Sequence, residues 1–213
     1  MIKKLHSIER AFPWRKFIAV LCLVTVCSVL WADREQTDLA NRMIRLHVVA
    51  NSDNPADQAL KLKVRDRILA TAGVYLEGQT DVNVAMTALQ DKLPELQAAA
   101  QSVVREQGYS DPVAVSLEDT WFPTRVYDDF SLPPGTYHAL RVVVGKGQGH
   151  NWWCVVFPPL CMGSATETIQ STAAAGGLSG DQVSLISGKS ESYVVKFKVV
   201  EWWETAKHAL SHS

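Results

Sequence analysis

The sequence predicts an α+β fold, a single compact domain with a mixed or antiparallel sheet packed by helices, after an N-terminal hydrophobic export or anchor helix. Three patterns predict it. Apolar and polar residues alternate at 44 to 50 and again at Val113, Val115 and Leu117, the period of a half-buried strand. Leu60, Val64 and Ile68, and then a series from Val84 to Val103, recur at helical spacing. Residues 17 to 32 run FIAVLCLVTVCSVLWA without a charge. With 213 residues, 47% hydrophobic and 20% charged, the chain is long enough for one sizeable core.

The uncharged run comes first. Sixteen helical residues would span roughly 24 Å at ~1.5 Å each, short of a ~30 Å hydrocarbon core, so the run falls between a signal-peptide core and a short membrane anchor. A buried helix of a soluble domain would show a polar face, and this run offers only Thr25 and Ser28. Lys3, Lys4, Arg10, Arg15 and Lys16 against Glu9 alone keep the N-terminal side in the cytoplasm. Residues 1 to 32 are therefore expected to be a signal peptide or signal anchor, and residues 33 to 213 an exported globular domain. The ending Leu30-Trp31-Ala32 is a poor cleavage site because a small residue is preferred where Leu30 stands. The formal net charge is −1 for the whole chain, and with the basic leader set aside the remainder is net acidic. That balance excludes nucleic acid as a partner of the body.

Residues 44 to 50 read as the first strand, with Ile44, Leu46 and Val48 on one side and Arg45, His47 and Val49 on the other. Asn54 as N-cap, Pro55 at the first helical position and Asp57 in the first turn open a helix. Its apolar ridge is Leu60, Val64 and Ile68, and Gly73 suits its end. A second helical region starts near Thr80 and Asp81 and runs to Gly108, with Pro94 kinking or restarting it. Strand character follows at Val113, Val115 and Leu117 and from 120 to 127. Leu132-Pro133-Pro134-Gly135 is a turn by composition. Residues 138 to 144 and 151 to 157, separated by GKGQGH, read as a β-hairpin. The Ser-, Gly- and Ala-rich stretch from 163 to 192 reads as a weakly packed connection with one or two short helices. In the tail, Val195, Phe197 and Val199 suggest a short strand leading into an amphipathic helix.

Candidate chemistry is sparse. Cys154 and Cys161 are the two cysteines after the leader, and a disulfide between them needs a Cα separation of ~4.4 to 6.8 Å, which Pro158 and Pro159 could supply by turning the chain. Two buried thiols are the other reading. A Cys154 nucleophile would need a base, and His150 on the same strand would lie ~13 Å away. His47 or His138 could approach only through the fold. Apart from the terminal pair His208 and His212, read as solvated, no histidines have metal-ligand spacing, and no phosphate-binding loop or dinucleotide turn is present, so no catalytic residue, metal, cofactor or small-molecule substrate is expected. Trp152 and Trp153 say more, because neighbouring strand residues face opposite sides of a sheet. One is expected inside and the other covered by a helix or offered to a partner. Trp, Tyr and Arg are the residues favoured at binding hot spots, and Arg125, Tyr127 and His150 are placed with the two tryptophans as partner-binding candidates.

Three segments resemble a known family: IRLHVVANSDNPADQALKLKVRDRIL at 44 to 69, FPTRVYDDFSLPPGTYHALRVVVGKGQGHNWWCVVFPPLC at 122 to 161, and VKFKVVEWWE at 195 to 204. Together they look like stage II sporulation protein R over roughly residues 40 to 204. The resemblance implies an intercellular signal of endospore formation, made in the forespore and exported across its membrane into the intermembrane space, secreted or membrane-anchored. Its implied partner is a membrane-embedded aspartic protease of the mother cell, which it triggers to process the sigma-E precursor. It implies no catalytic residue. The competing expectation is an exported thiol-dependent hydrolase using Cys154 and a histidine.

Overall fold

The computed structural model describes residues 14–127, 130–162 and 166–187. Helices α1 (Trp14–Ala40), α2 (Pro55–Leu76), α3 (Val82–Asp91), α4 (Leu93–Glu106), α5 (Thr166–Ala175) and α6 (Gly180–Ser187) accompany two sheets. The main sheet joins β1 (Ile44–Val49), β2 (Val113–Phe122), β5 (Gly135–Val144) and β6 (Asn151–Phe157) in the order β2-β5-β1-β6. β3 (Arg125–Val126) and β4 (Ser131–Leu132) form a separate two-stranded ribbon. The sheet is mixed: β1 runs parallel to β5 and antiparallel to β6, while β2 is antiparallel to β5. The fold is thus α+β with helices packed on a mixed sheet.

The alternation along β1 sets two cores, one on each face. Ile44, Leu46 and Val48 join Leu60, Val64, Ile68, Ala72 and Leu76 of α2, Leu89 of α3 and Leu96 and Ala100 of α4 in the first. The second gathers Tyr137, Ala139 and Val155 from the sheet with Leu39, Ala40, Met43, Phe122, Ile169, Ala173 and Ile186. Each Val or Leu side chain so buried stabilises the fold by roughly 1.5–3 kcal/mol.

α2 opens as its sequence demands. Asn54 caps it by accepting from Ala56 N at 3.0 Å, and Pro55 lies in the first turn. It outruns Gly73 by a turn, because Ala72 and Leu76 continue the buried ridge, and the chain turns at Gly78 with φ of 73°. Asp81 caps α3 through Asn83 N and Val84 N. Pro94 restarts the helix: α3 stops at Asp91 and α4 begins at Leu93, with the proline in its first turn, where its missing donor costs nothing.

The expected hairpin of 138 to 144 with 151 to 157 does not form. β1 lies between β5 and β6, and β5 pairs on its other side with β2, from Val113 opposite Val144 to Phe122 opposite Gly135. β1 is buried on both faces along its whole length except at the partly buried His47, as a central strand is. The glycine-rich connection steps over the end of β1, where Gly149 N donates to Ala50 O and Gln148 N to Asn51 O. A side chain at Gly149 would meet Ser52 O at 2.3 Å, so the glycines there permit a close crossing of two chain segments.

The stretch from 163 to 192 holds α5 and α6 over its described part, and Ile169, Ala173, Leu178 and Ile186 pack into the second core. The tail strand and helix expected after residue 193 lie outside the described residues. α1 passes residue 32 without a break. Its large apolar side chains from Trp14 to Trp31 are exposed where described, whereas Gln36, Leu39 and Ala40 are buried against the domain. Among the described residues no helix is long and apolar enough to cross a membrane.

Candidate docking site at the edge of the sheet

Among the described residues β6 is an edge strand, and its two tryptophans take opposite faces. Trp152 is 38% exposed and lies beneath Arg65 of α2, whose guanidinium carbon is 4.5 Å from the ring centroid. Trp153 lies on the second face between two other groups. The Arg125 guanidinium carbon sits 3.6 Å from its ring centroid, and the His47 ring stacks on it at 5.9 Å. Neither ring enters a core fully; each is covered by an arginine, an arrangement favourable to the cation and the ring alike.

Tyr127 ties this cluster together. Its hydroxyl accepts from Arg45 Nη2 at 3.1 Å and donates to Trp153 O at 3.3 Å, while its ring stacks on Phe130 with centroids 4.4 Å apart. Arg45 is fully buried, with its guanidinium carbon 4.1 Å from the Phe122 centroid and 4.8 Å from that of Tyr137. Its Nε and Nη1 have no hydrogen-bond partner, nor has Nε of Arg125. Neither arginine pairs with a carboxylate among the described residues. Burial pushes the Arg125 guanidinium below its ordinary value; Tyr127 offsets this slightly and Arg45 adds to it.

The structure therefore brings Arg125, Tyr127 and Trp153 into one cluster, with Trp152 on the opposite face. His150 is elsewhere, at the head of β6. Its backbone N donates to Asp53 Oδ1 at 2.6 Å, its exposed ring also meets that carboxylate, and its carbonyl accepts from the buried Lys61 Nζ at 2.9 Å. These bonds clamp the crossing loop to the start of α2. Arg45 and His47 were not among the partner-binding candidates, although the alternation along residues 44 to 50 places both on one side of the strand. Two basic side chains on a central strand are the signal that would have found them.

Cys154 and Cys161 form a disulfide with Cα atoms 6.1 Å apart, tying β6 to the turn at Leu160–Met162. A bridged sulfur is no thiolate. The rings of His47, His138 and His150 are engaged with Asn151, Asp119 and Asp53, none with a cysteine. Among the described residues no group of three or more His, Cys, Asp or Glu side chains could hold a metal. A cavity of about 490 Å³ runs beside β6, lined by Arg65, Val126, Tyr127, Trp152, Trp153 and Cys161 among others.

The family model for stage II sporulation protein R matches residues 40–167. The chain belongs to this family. Stage II sporulation protein R of Bacillus subtilis (strain 168) is 34% identical to it over 130 residues, 61% of this chain and 58% of the relative. The chain thus spans well under two thirds of the length of the curated relative it matches. No solved structure matches. The family match takes in the whole four-stranded sheet, both tryptophans, Arg45, His47, Arg125, Tyr127 and both cysteines of the disulfide. A role in sporulation follows from membership of the family.

Proposed function

We propose that the protein is an exported intercellular signal of endospore formation. It is made in the forespore, delivered across the forespore membrane by its N-terminal segment, and meets a membrane-embedded aspartic protease of the mother cell. Contact triggers the protease to process the sigma-E precursor, and the signal itself performs no chemistry. Membership of the stage II sporulation protein R family supports the sporulation role, and the resemblance set out above supplies the partner. The observation that carries the docking surface is the cluster of Trp153 on β6 with Arg125 of β3 and the neighbouring Tyr127, a composition typical of binding hot spots. Trp152 beneath Arg65 extends this surface onto the other face.

The test is co-expression of the full chain with the protease and the sigma precursor in a non-sporulating host. Alanine at Arg125 or Trp153 abolishes processing while secretion and melting temperature stay normal, since losing a hot-spot residue costs ~2 kcal/mol or more of binding. Processing and thermal stability that fall in parallel would show that these residues only hold the fold. A fully active, well-folded double variant would remove the surface from the interface.

A further inference from the structure

β6 has a partner on one side only. β1 occupies its inner side, and no strand pairs with its outer side among the described residues. Along an antiparallel pair, backbone groups of alternate residues point away from the partner strand. Residues 153 and 155 are the outward ones: Trp153 O accepts from the Tyr127 hydroxyl at 3.3 Å, and Val155 N donates to Cys161 Sγ at 3.1 Å. A long phenol contact and a sulfur acceptor are weak substitutes for ladder bonds. The 490 Å³ cavity lies along this same side.

Charge is unevenly satisfied around that edge. Arg65 has Asp66 at 2.6 Å, but Arg125 and the buried Arg45 have no carboxylate among the described residues, and three of their nitrogens have no partner. Arg45 is close enough to Arg125 to disfavour its charge. A buried and a half-buried guanidinium side by side, with no carboxylate partner among the described residues, favour an anion between them and solvent. At the opposite edge of the sheet, β2 presents Glu118 and Asp119, which are matched by Arg141 at 3.6 Å and His138 at 2.6 Å. Among the described residues only the β6 edge combines weakly engaged backbone groups, a cavity and guanidiniums without a carboxylate partner.

We propose that β6 accepts an extended segment of the partner protein as an added strand, and that an acidic side chain of that segment binds the Arg125 guanidinium above the Trp153 ring. This rests on the docking surface argued above and specifies how it is used. Strand addition supplies affinity through main-chain bonds and specificity through alternate side chains. The carboxylate gives Arg125 a charge-assisted partner, which no described residue supplies. Tyr127 swings its hydroxyl from Trp153 O as the incoming strand's amide replaces it.

The probe is the capped peptide acetyl-Ser-Val-Thr-Val-Glu-Val-Thr-amide, titrated into the ¹⁵N-labelled full chain in a mild detergent and followed by NMR. Saturable binding is expected, with the amide signals of Trp153 and Val155 moving most. Replacing the peptide's Glu by Gln weakens binding at least tenfold, N-methylation of alternate peptide amides abolishes it, and Arg125→Gln in the protein removes the preference for Glu over Gln. Because both peptide controls use the unaltered protein, the test holds even if the Arg125 variant misfolds. Absence of binding, equal binding of the Glu and Gln peptides, or shifts centred on β2 would overturn the proposal. If the peptide fails while Arg125→Ala still blocks precursor processing, strand addition falls and the docking surface stands. If the peptide binds but processing survives alanine at Arg125 and Trp153, the edge is a peptide site and the protease is met elsewhere.

Discussion

His47 shows how the second face of the sheet differs from the first. Its Nε2 bonds to Asn151 Oδ1 at 2.9 Å, while its Nδ1 is buried without a partner. Burial lowers its pKa from the ordinary 6.5; the Asn151 bond opposes this, Arg141 adds to it, Glu118 opposes and Arg45 adds. The folded pKa therefore lies below the unfolded one. Well above 6.5 both states hold a neutral ring and stability is complete; as the pH falls through 6.5 the unfolded chain takes up the proton first, and stability drops. The melting temperature should fall between pH 8 and pH 5.5, and His47→Gln should flatten that decline. An unchanged pH dependence in the variant would assign the effect to other groups. Arg45 belongs to the same story. Its guanidinium lies between the rings of Phe122 and Tyr137, contacts that favour a buried cation, and no carboxylate pairs with it among the described residues.

At the scale of elements, α2 is the member whose sequence and structure agree most closely. The Asn54 cap, Pro55 and the Leu60, Val64 and Ile68 ridge act within one or two turns, so they are legible without knowledge of the fold. The restart at Pro94 is local in the same way. Strand order is not local: the glycines between β5 and β6 permit both a tight turn and a crossing over a third strand, and only the two-sided burial of β1 decides between them. The docking cluster was legible in part for a similar reason. Arg125, Tyr127 and the tryptophan pair could be picked out by residue type, but the meeting of Arg45 with Tyr127, 82 residues apart, depends on the completed sheet. The packing of α2 is directly testable. Val64→Asp places an unpaired charge in the first core and should cost about 3 kcal/mol or more. Val74→Asp on the same helix, at a site 69% exposed, should change stability by only about 0.5 kcal/mol. Denaturant titration of both variants checks the pair, and similar losses in the two would reject this placement of the buried face.

Over the whole molecule, α1 has two parts with different surroundings. Its first two thirds expose Trp14, Phe17, Ile18, Leu21, Val24 and Trp31, a surface that water does not stabilise. Its last turns are built into the domain: Gln36 Nε2 donates to Pro134 O at 2.7 Å, Leu39 and Ala40 are buried, and Asp38 accepts from Gln182 Nε2 of α6 at 2.7 Å and pairs with Arg42 at 3.1 Å. Arg42 in turn donates to Gly177 O at 3.1 Å, so the end of α1 holds α6 and its preceding loop against the second core. The proposed delivery segment and the folded domain thus meet inside one continuous helix rather than at a break in secondary structure. Replacing residues 1 to 32 by an unrelated cleavable signal peptide should preserve precursor processing, because every contact named here lies beyond that junction. Moving the junction to residue 41 should fail, because it strips Leu39 from a fully buried site and leaves Pro134 O without the Gln36 amide. Truncating a buried Leu alone costs ~2–5 kcal/mol. Thermal denaturation of the two secreted products, run beside the processing assay, separates the causes. Loss of processing in the first fusion despite normal secretion and melting would mean that residues 1 to 32 contribute to signalling itself. An unaltered melting temperature in the second would mean that the end of α1 does not support the domain.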